Sequence, residues 1–168
     1  MASSGSVDIF VKIKGKKQGV IRGESVDKTH PNEIQALSYT WDITQPFDMS
    51  GSGLASGKRQ FGQFKFLMTS QTATPLLLNA ISGGEVLEVT VTCRKAGQDQ
   101  QEYMVWLLKE AMIHKINTGY ILAGEIVPHD EIVIVFRNIT LTYRMQKSEG
   151  NLGGDIVYMD QWSSGIQS

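Results

Sequence analysis

DKTHPNEIQALSYTWDITQP, residues 27–46, can be read in two ways. Asp27, His30 and Glu33 fall three residues apart, a spacing that would bring them near one face of a helix and make them candidate metal ligands or acid/base groups. Pro31 lies among them, however, and the residues that follow alternate: Leu37, Tyr39, Trp41 and Ile43 against Ala36, Ser38, Thr40 and Asp42. A proline inside a helical turn removes a hydrogen bond and clashes with the preceding turn, and period-two alternation is the mark of a strand with one buried face. The stretch therefore reads as a solvated approach, with Asp27 capping a turn, into a strand whose Leu37, Tyr39, Trp41 and Ile43 point to a core.

The same alternation recurs from end to end. Val7, Ile9, Val11 and Ile13 oppose Asp8, Lys12 and Lys14. Leu87, Val89, Val91 and Cys93 oppose Glu88, Thr90, Thr92 and Arg94, and Ile139, Leu141 and Tyr143 oppose Thr140, Thr142 and Arg144. The runs 61–69 and 102–116 are apolar on both sides, which fits burial on both faces or a place at a subunit contact. Turn-forming clusters at 14–19, 82–84, 95–100 and 148–154 separate the strands. One helix is predicted from Thr74, with Thr74 as its cap, Pro75 at the first helical position and Gly83 at its end. About eight strands, one short helix and no strand–helix–strand rhythm predict a mainly β fold, a sandwich or barrel.

Composition sets the bounds. The 168 residues, 41% of them hydrophobic, fit a single domain over 1–168 with its own core. Sixteen basic and 17 acidic residues leave a formal charge of −1, so no basic excess draws the chain to nucleic acid or an anionic membrane. The lone Cys93 excludes an intramolecular disulfide and any multi-cysteine metal site; its place on an apolar strand face predicts a reduced core thiol. The first ten residues lack a basic region followed by an apolar stretch, and no segment approaches about 18 consecutive apolar residues. Folding in the cytoplasm, without membrane insertion or a cleaved export signal, is the expectation.

Residues 45–62 break the strand pattern. This Gly- and Ser-rich loop is too long for a hairpin turn and begins at Pro46. Its GSGLASGKR string invites comparison with a phosphate-binding loop, but the earlier glycine that motif needs is Ser52, and Arg59 stands where the magnesium-binding hydroxyl belongs. The three histidines form no HxxH or HExxH motif. No nucleophile, base and orienting group assemble, so neither catalysis nor a cofactor is expected.

Four strings occurring in order, GESVDKTHPNEIQALSYTWDITQP, TPLLLNAISGGEVLEVTVTCRKAG, QEYMVWLLKEAMIHKINTG and YRMQKSEGNLGG followed by Trp162, resemble the hemolysin-coregulated protein (Hcp) family, the inner-tube subunit of the bacterial type VI secretion system. The resemblance runs from about Val7 to Trp162, leaving residues 1–6 as an N-terminal extension. It implies a compact antiparallel β-barrel with one short helix, assembled as a homohexameric ring. Such rings stack into a tube inside a contractile sheath, carry a VgrG spike, hold small effectors in the lumen, and leave the cytoplasm when the sheath contracts. The resemblance implies no enzymatic activity. Within that frame the two-sided apolar runs suit lateral contacts around the ring. Ser38 and Thr40, small and polar, suit a lumen wall that grips cargo and lets it go. The long loop, through Asp48, Met49, Leu54 and Lys58, suits contact from one ring to the next. The alternative is a monomeric lipocalin-like barrel that binds a small apolar ligand.

Overall fold

Antiparallel pairing of the alternating segments accounts for nearly all of the architecture. The computed structural model describes residues 6–51, 57–96, 100–146 and 152–162. Its elements are β1 (Val7–Gly15), β2 (Gly19–Ile21), β3 (Ile34–Ala36), β4 (Ser38–Thr40), β5 (Ile43–Thr44), β6 (Gln60–Phe61), β7 (Phe64–Thr69), α1 (Ala73–Ser82), β8 (Leu87–Lys95), β9 (Glu102–Tyr120), β10 (His129–Val135), β11 (Asn138–Gln146) and β12 (Leu152–Gln161). Ten strands form one sheet along the path β2-β1-β8-β9-β10-β7-β4, with β3 also on β1, β11 on β9 and β12 on β11. β5 and β6 form a separate two-stranded ladder. The mainly β fold with a single short helix matches the expectation, with more and shorter strands.

The expected barrel is not a closed ladder. Its seam lies at residues 34–40, where Ile34–Ala36 pairs with β1 and Ser38–Thr40 pairs with β7. One continuous piece of chain thus spans the gap between the two ends of the path. To do so it changes which face is buried. Ile34 and Ala36 are in the core, Leu37 is 52% exposed, and Tyr39 and Trp41 turn inward again. The single alternating strand expected over 34–43 is corrected here: Ala36 is buried, whereas Leu37 and Ile43 are exposed. For Ala36 and Leu37 the physical reason is the sheet switch, which inverts the phase of a period-two pattern within one residue; Ile43, in phase with Tyr39 and Trp41, has left that sheet for the ladder with Phe61.

A second inversion explains the two-sided apolar run at 102–116. Met104, Trp106 and Leu108 face inward, and then Ala111 and Ile113 do. Glu110 sits between them at φ 49°, beside a shift of register against β8. A bulge of this kind adds a residue, bends the strand and swaps its faces. The first half of β9 pairs with β8 and β11, the second half with β10. At 61–69 the run is split at Gly62, and Phe64, Phe66 and Met68 are buried.

The core gathers Val11, Ile13, Phe64, Phe66, Val89, Val91, Leu108 and Ile132, closed at one side by Leu77 and Ala80 of α1. The helix begins two residues earlier than predicted, so Pro75 is its third residue and Thr74 its second. The Thr74 hydroxyl instead accepts from the Gln71 amide at 3.0 Å and donates to Asp130 at 2.6 Å. The Gly83 amide does end the helix, donating to the Asn79 carbonyl at 3.0 Å. No helix among the described residues is long and apolar enough to cross a membrane.

Backbone proximity fixes one glycine. A Cβ on Gly23 would lie 2.5 Å from the Glu33 carbonyl oxygen, where the 22–33 loop closes on itself. Gly23→Ala is therefore expected to cost about 2 kcal/mol and to lower the melting midpoint by about 4–8 °C. Gly154→Ala, which meets nothing within 4 Å, should leave it unchanged in the same scan.

Candidate functional site

The Asp27, His30 and Glu33 group is not a solvated approach. His30 is 7% exposed, stacked on Phe10 with ring centroids 4.3 Å apart. Its Nδ1 lies 2.8 Å from Glu33 Oε2 and its Nε2 lies 2.9 Å from Glu102 Oε1. Both ring nitrogens are thus engaged by carboxylates. Asp27 turns the other way. It accepts from the Thr29 and His30 amides, as the expected turn cap, and from Arg94 at 2.7 Å. Arg94 also reaches Asp8 at 3.0 Å and lies over the Phe10 ring. Its hydrogen bond, followed by that of Thr29, holds the Asp27 carboxyl well below the usual range. The histidine and the arginine are thus locked between carboxylates over one aromatic ring, and the lock ties the 22–33 loop to β1, β8 and β9. A base whose ring nitrogens are both engaged has no lone pair for substrate. Among the described residues no three His, Cys, Asp or Glu side chains converge as metal ligands.

Ser38 and Thr40 lie on β4, and both are exposed, on the side opposite Tyr39. Tyr39 is held inward by stacking on Phe64 at 5.5 Å and by accepting from Trp106 Nε1 at 2.9 Å; burial pushes its hydroxyl up to about 12. This anchor fixes which way its neighbours face.

The 45–62 loop is narrower at its root than expected. Ile43 pairs with Phe61 and Thr44 with Gln60, so the segment is an arm on a two-stranded base. The Gln45 side-chain amide donates to the Gly57 carbonyl at 3.0 Å across it. Asp48 accepts from the Ser50 amide and hydroxyl at 2.9 and 2.6 Å, fixing a turn on which Met49 is 83% exposed. Lys58 is exposed; Leu54 lies outside the described residues. Arg59 anchors the root, with both its Nε and Nη2 on Asp160 of β12. That hydrogen bond, against the opposing effect of burial and with help from the Tyr158 hydroxyl, pulls Asp160 down to about 2. A folded pKa below the unfolded value means that the tie is complete above the ordinary aspartate pKa and is lost as pH falls. Amide exchange at Gln60 and Phe61, scaled for intrinsic rate, should therefore accelerate between about pH 4 and pH 2.

An exposed apolar feature on β11 and β12 has a plain signal in the sequence, four consecutive apolar residues at 156–159, yet alternation does not find it. Tyr143 opposite Ile156, with Tyr158 beyond, is on one face of the β11–β12 hairpin; Val157 and Met159 are on the other. All five are more than a third exposed, Met159 by 74%. Among the described residues β12 pairs only with β11.

Fold and surface together define a mainly β, single-helix protein with apolar residues displayed on a hairpin and an arm. A family model described as "Type VI secretion system effector, Hcp" matches residues 10–143. Protein hcp1 of Pseudomonas aeruginosa is 34% identical over 157 residues, covering 91% of this chain and 93% of that protein. The solved Hcp1 of Salmonella typhimurium superposes with a TM-score of 0.74 at 28% identity, covering 93% of this chain and 95% of that one. A type VI secretion system effector from Yersinia pestis does so at 0.72 and 29%, covering 92% and 100%. The chain belongs to the Hcp family of secreted type VI secretion system proteins.

Proposed function

We propose that this chain is a structural tube subunit: six copies close into a ring, rings stack into an inner tube within a contractile sheath behind a VgrG spike, and the lumen carries small effectors. The chain itself does no chemistry in this reading. It assembles in the cytoplasm and leaves with the tube. The observation that carries the reading is the β11–β12 hairpin. A strand with a free edge and large apolar side chains on both faces is an aggregation hazard in a monomer and is normally covered by another chain. In a ring the contact is heterologous, so this hairpin meets a different patch on the next subunit. The half-buried Val105 and Leu107 continue the Val157 and Met159 stripe across β11, since Thr142 pairs with both Val105 and Val157, and Thr140 with both Leu107 and Met159. In this reading the lateral contact lies on β9, β11 and β12, while the inward residues of 61–69 serve the core.

Light scattering on the size-exclusion peak tests the ring. A mass near six times 18.6 kDa, with holed particles by electron microscopy, supports it; a monomer at micromolar concentration overturns it. Ser38 and Thr40 are assigned to the lumen wall. Thr40→Trp is expected to leave ring mass unchanged while co-purification of a lumen-held effector drops to background. Undiminished retention in intact rings would remove these residues from the lumen.

A further inference from the structure

An apolar cleft of about 390 Å³ opens at the root of the arm. Its floor is Phe61 on Phe136, ring centroids 5.6 Å apart, and its walls are Met112, Val135 and Trp162, each more than a third exposed. Arg137 and Glu110 stand at its rim, paired at 3.3 Å and both more than half exposed. The volume is that of a site for a few side chains or a small ligand, about 300–1,000 Å³.

We propose that this cleft receives the arm tip of a second copy of the chain. The inference rests on the reading of the protein as a self-stacking tube subunit, and it names where the arm lands. The described part of the tip, the turn at 47–50, displays Phe47 and Met49, 63% and 83% exposed, on either side of Asp48. Hydrogen bonds from Ser50 keep the Asp48 carboxyl below its usual range, so the tip presents two apolar side chains around a carboxylate. The cleft is the complement: an aromatic floor with a guanidinium at its edge. Arg137 is more than half exposed beside Glu110, and a guanidinium carries five donors, so it can take a second carboxylate.

Phe47 and Met49 do not line the cleft of their own chain, and the β5–β6 ladder and the Gln45–Gly57 bond hold the root of the arm in place. Each copy therefore gives one tip and offers one cleft. A give-and-take contact of this kind is heterologous; it propagates along a stack instead of stopping at a pair.

The test uses the full chain carrying Met49→Cys and Val135→Cys together, treated with a short bis-maleimide; Cys93, 2% exposed, stays out of reach. The expected result is a ladder of covalent species extending past the hexamer, while each single variant stops at dimers or below. Arg137→Glu added to the pair should abolish the ladder, and Asp48→Lys added to that should restore it. Ring mass is read on the same samples by light scattering. Hexamers without a ladder, or a ladder indifferent to the charge swap, overturn the arm-to-cleft contact alone. Absence of hexamers overturns the tube reading and this inference with it. If a free small aromatic, indole for example, saturates the cleft at micromolar concentration without reducing the ladder, the cleft belongs to a ligand and the proposal fails.

Discussion

If the proposed ring closes through β12, Val157→Asp combined with Met159→Asp is expected to convert it wholly into monomers while leaving the subunit folded. Both residues are more than half exposed in the single chain, and they pair with Thr142 and Thr140, not with a core residue. The substitutions thus remove nothing from the core, and surface changes of this type alter stability by no more than about 0.5 kcal/mol. At a subunit contact the same carboxylates would be buried without partners, a cost of several kcal/mol per ion after relaxation. Two such ions at each of six contacts far exceed what a small interface supplies. Size-exclusion with light scattering reads the outcome, and a thermal melt of the monomer checks the fold. Hexamers that survive both aspartates would move the lateral contact off β12.

Much of this organisation is written in alternation, and the errors share a cause. Alternation reports which face is buried only while a strand stays in one sheet and in one phase. The runs of β1 and β8 do so, and their Val11, Ile13, Val89 and Val91 are in the core as read. At Leu37 the chain passes from β1 to β7, and at Glu110 a left-handed residue shifts the register of β9. Each event inverts the phase, so one continuous pattern misplaces Ala36 and Leu37, and two opposed patterns look like a run buried on both faces. The clasp formed by His30 and Arg94 over the Phe10 ring is hidden from the sequence for a different reason. His30 meets Glu102, 72 positions away, and Asp27 meets Arg94, 67 away, and local spacing carries no information about either. The helix start was misjudged because Thr74 spends its hydroxyl on Asp130, again a distant partner. Family resemblance covered what spacing could not: it rests on the order of whole strings, which records long-range pairing without having to derive it.

The clasp also yields the largest expected loss of stability. Phe10→Ala removes a fully buried ring that carries His30 stacked at 4.3 Å and the Arg94 guanidinium at 4.8 Å from its centroid. Truncating a buried phenylalanine costs about 3–5 kcal/mol, equivalent to a fall of about 6–20 °C in the melting midpoint for a domain of this size. The upper part of that range is expected, because the cavity would open beneath His30 and the Arg94 guanidinium, and the Arg94 ion pairs would lose the apolar cover that strengthens them. Phe10→Leu fills most of the volume without an aromatic face, so it should recover the packing contribution but not the stacking and cation–π contributions, about 0.5–1.5 kcal/mol each. Measured in the Val157→Asp, Met159→Asp background, these differences report the subunit alone, free of the mass-action stabilisation that assembly adds. If leucine matches phenylalanine, the lock consists of ion pairs around an inert spacer. If alanine does as well, the loop 22–33 is held by its backbone bonds from Gly23 and Ser25, and the aromatic platform contributes nothing to the fold.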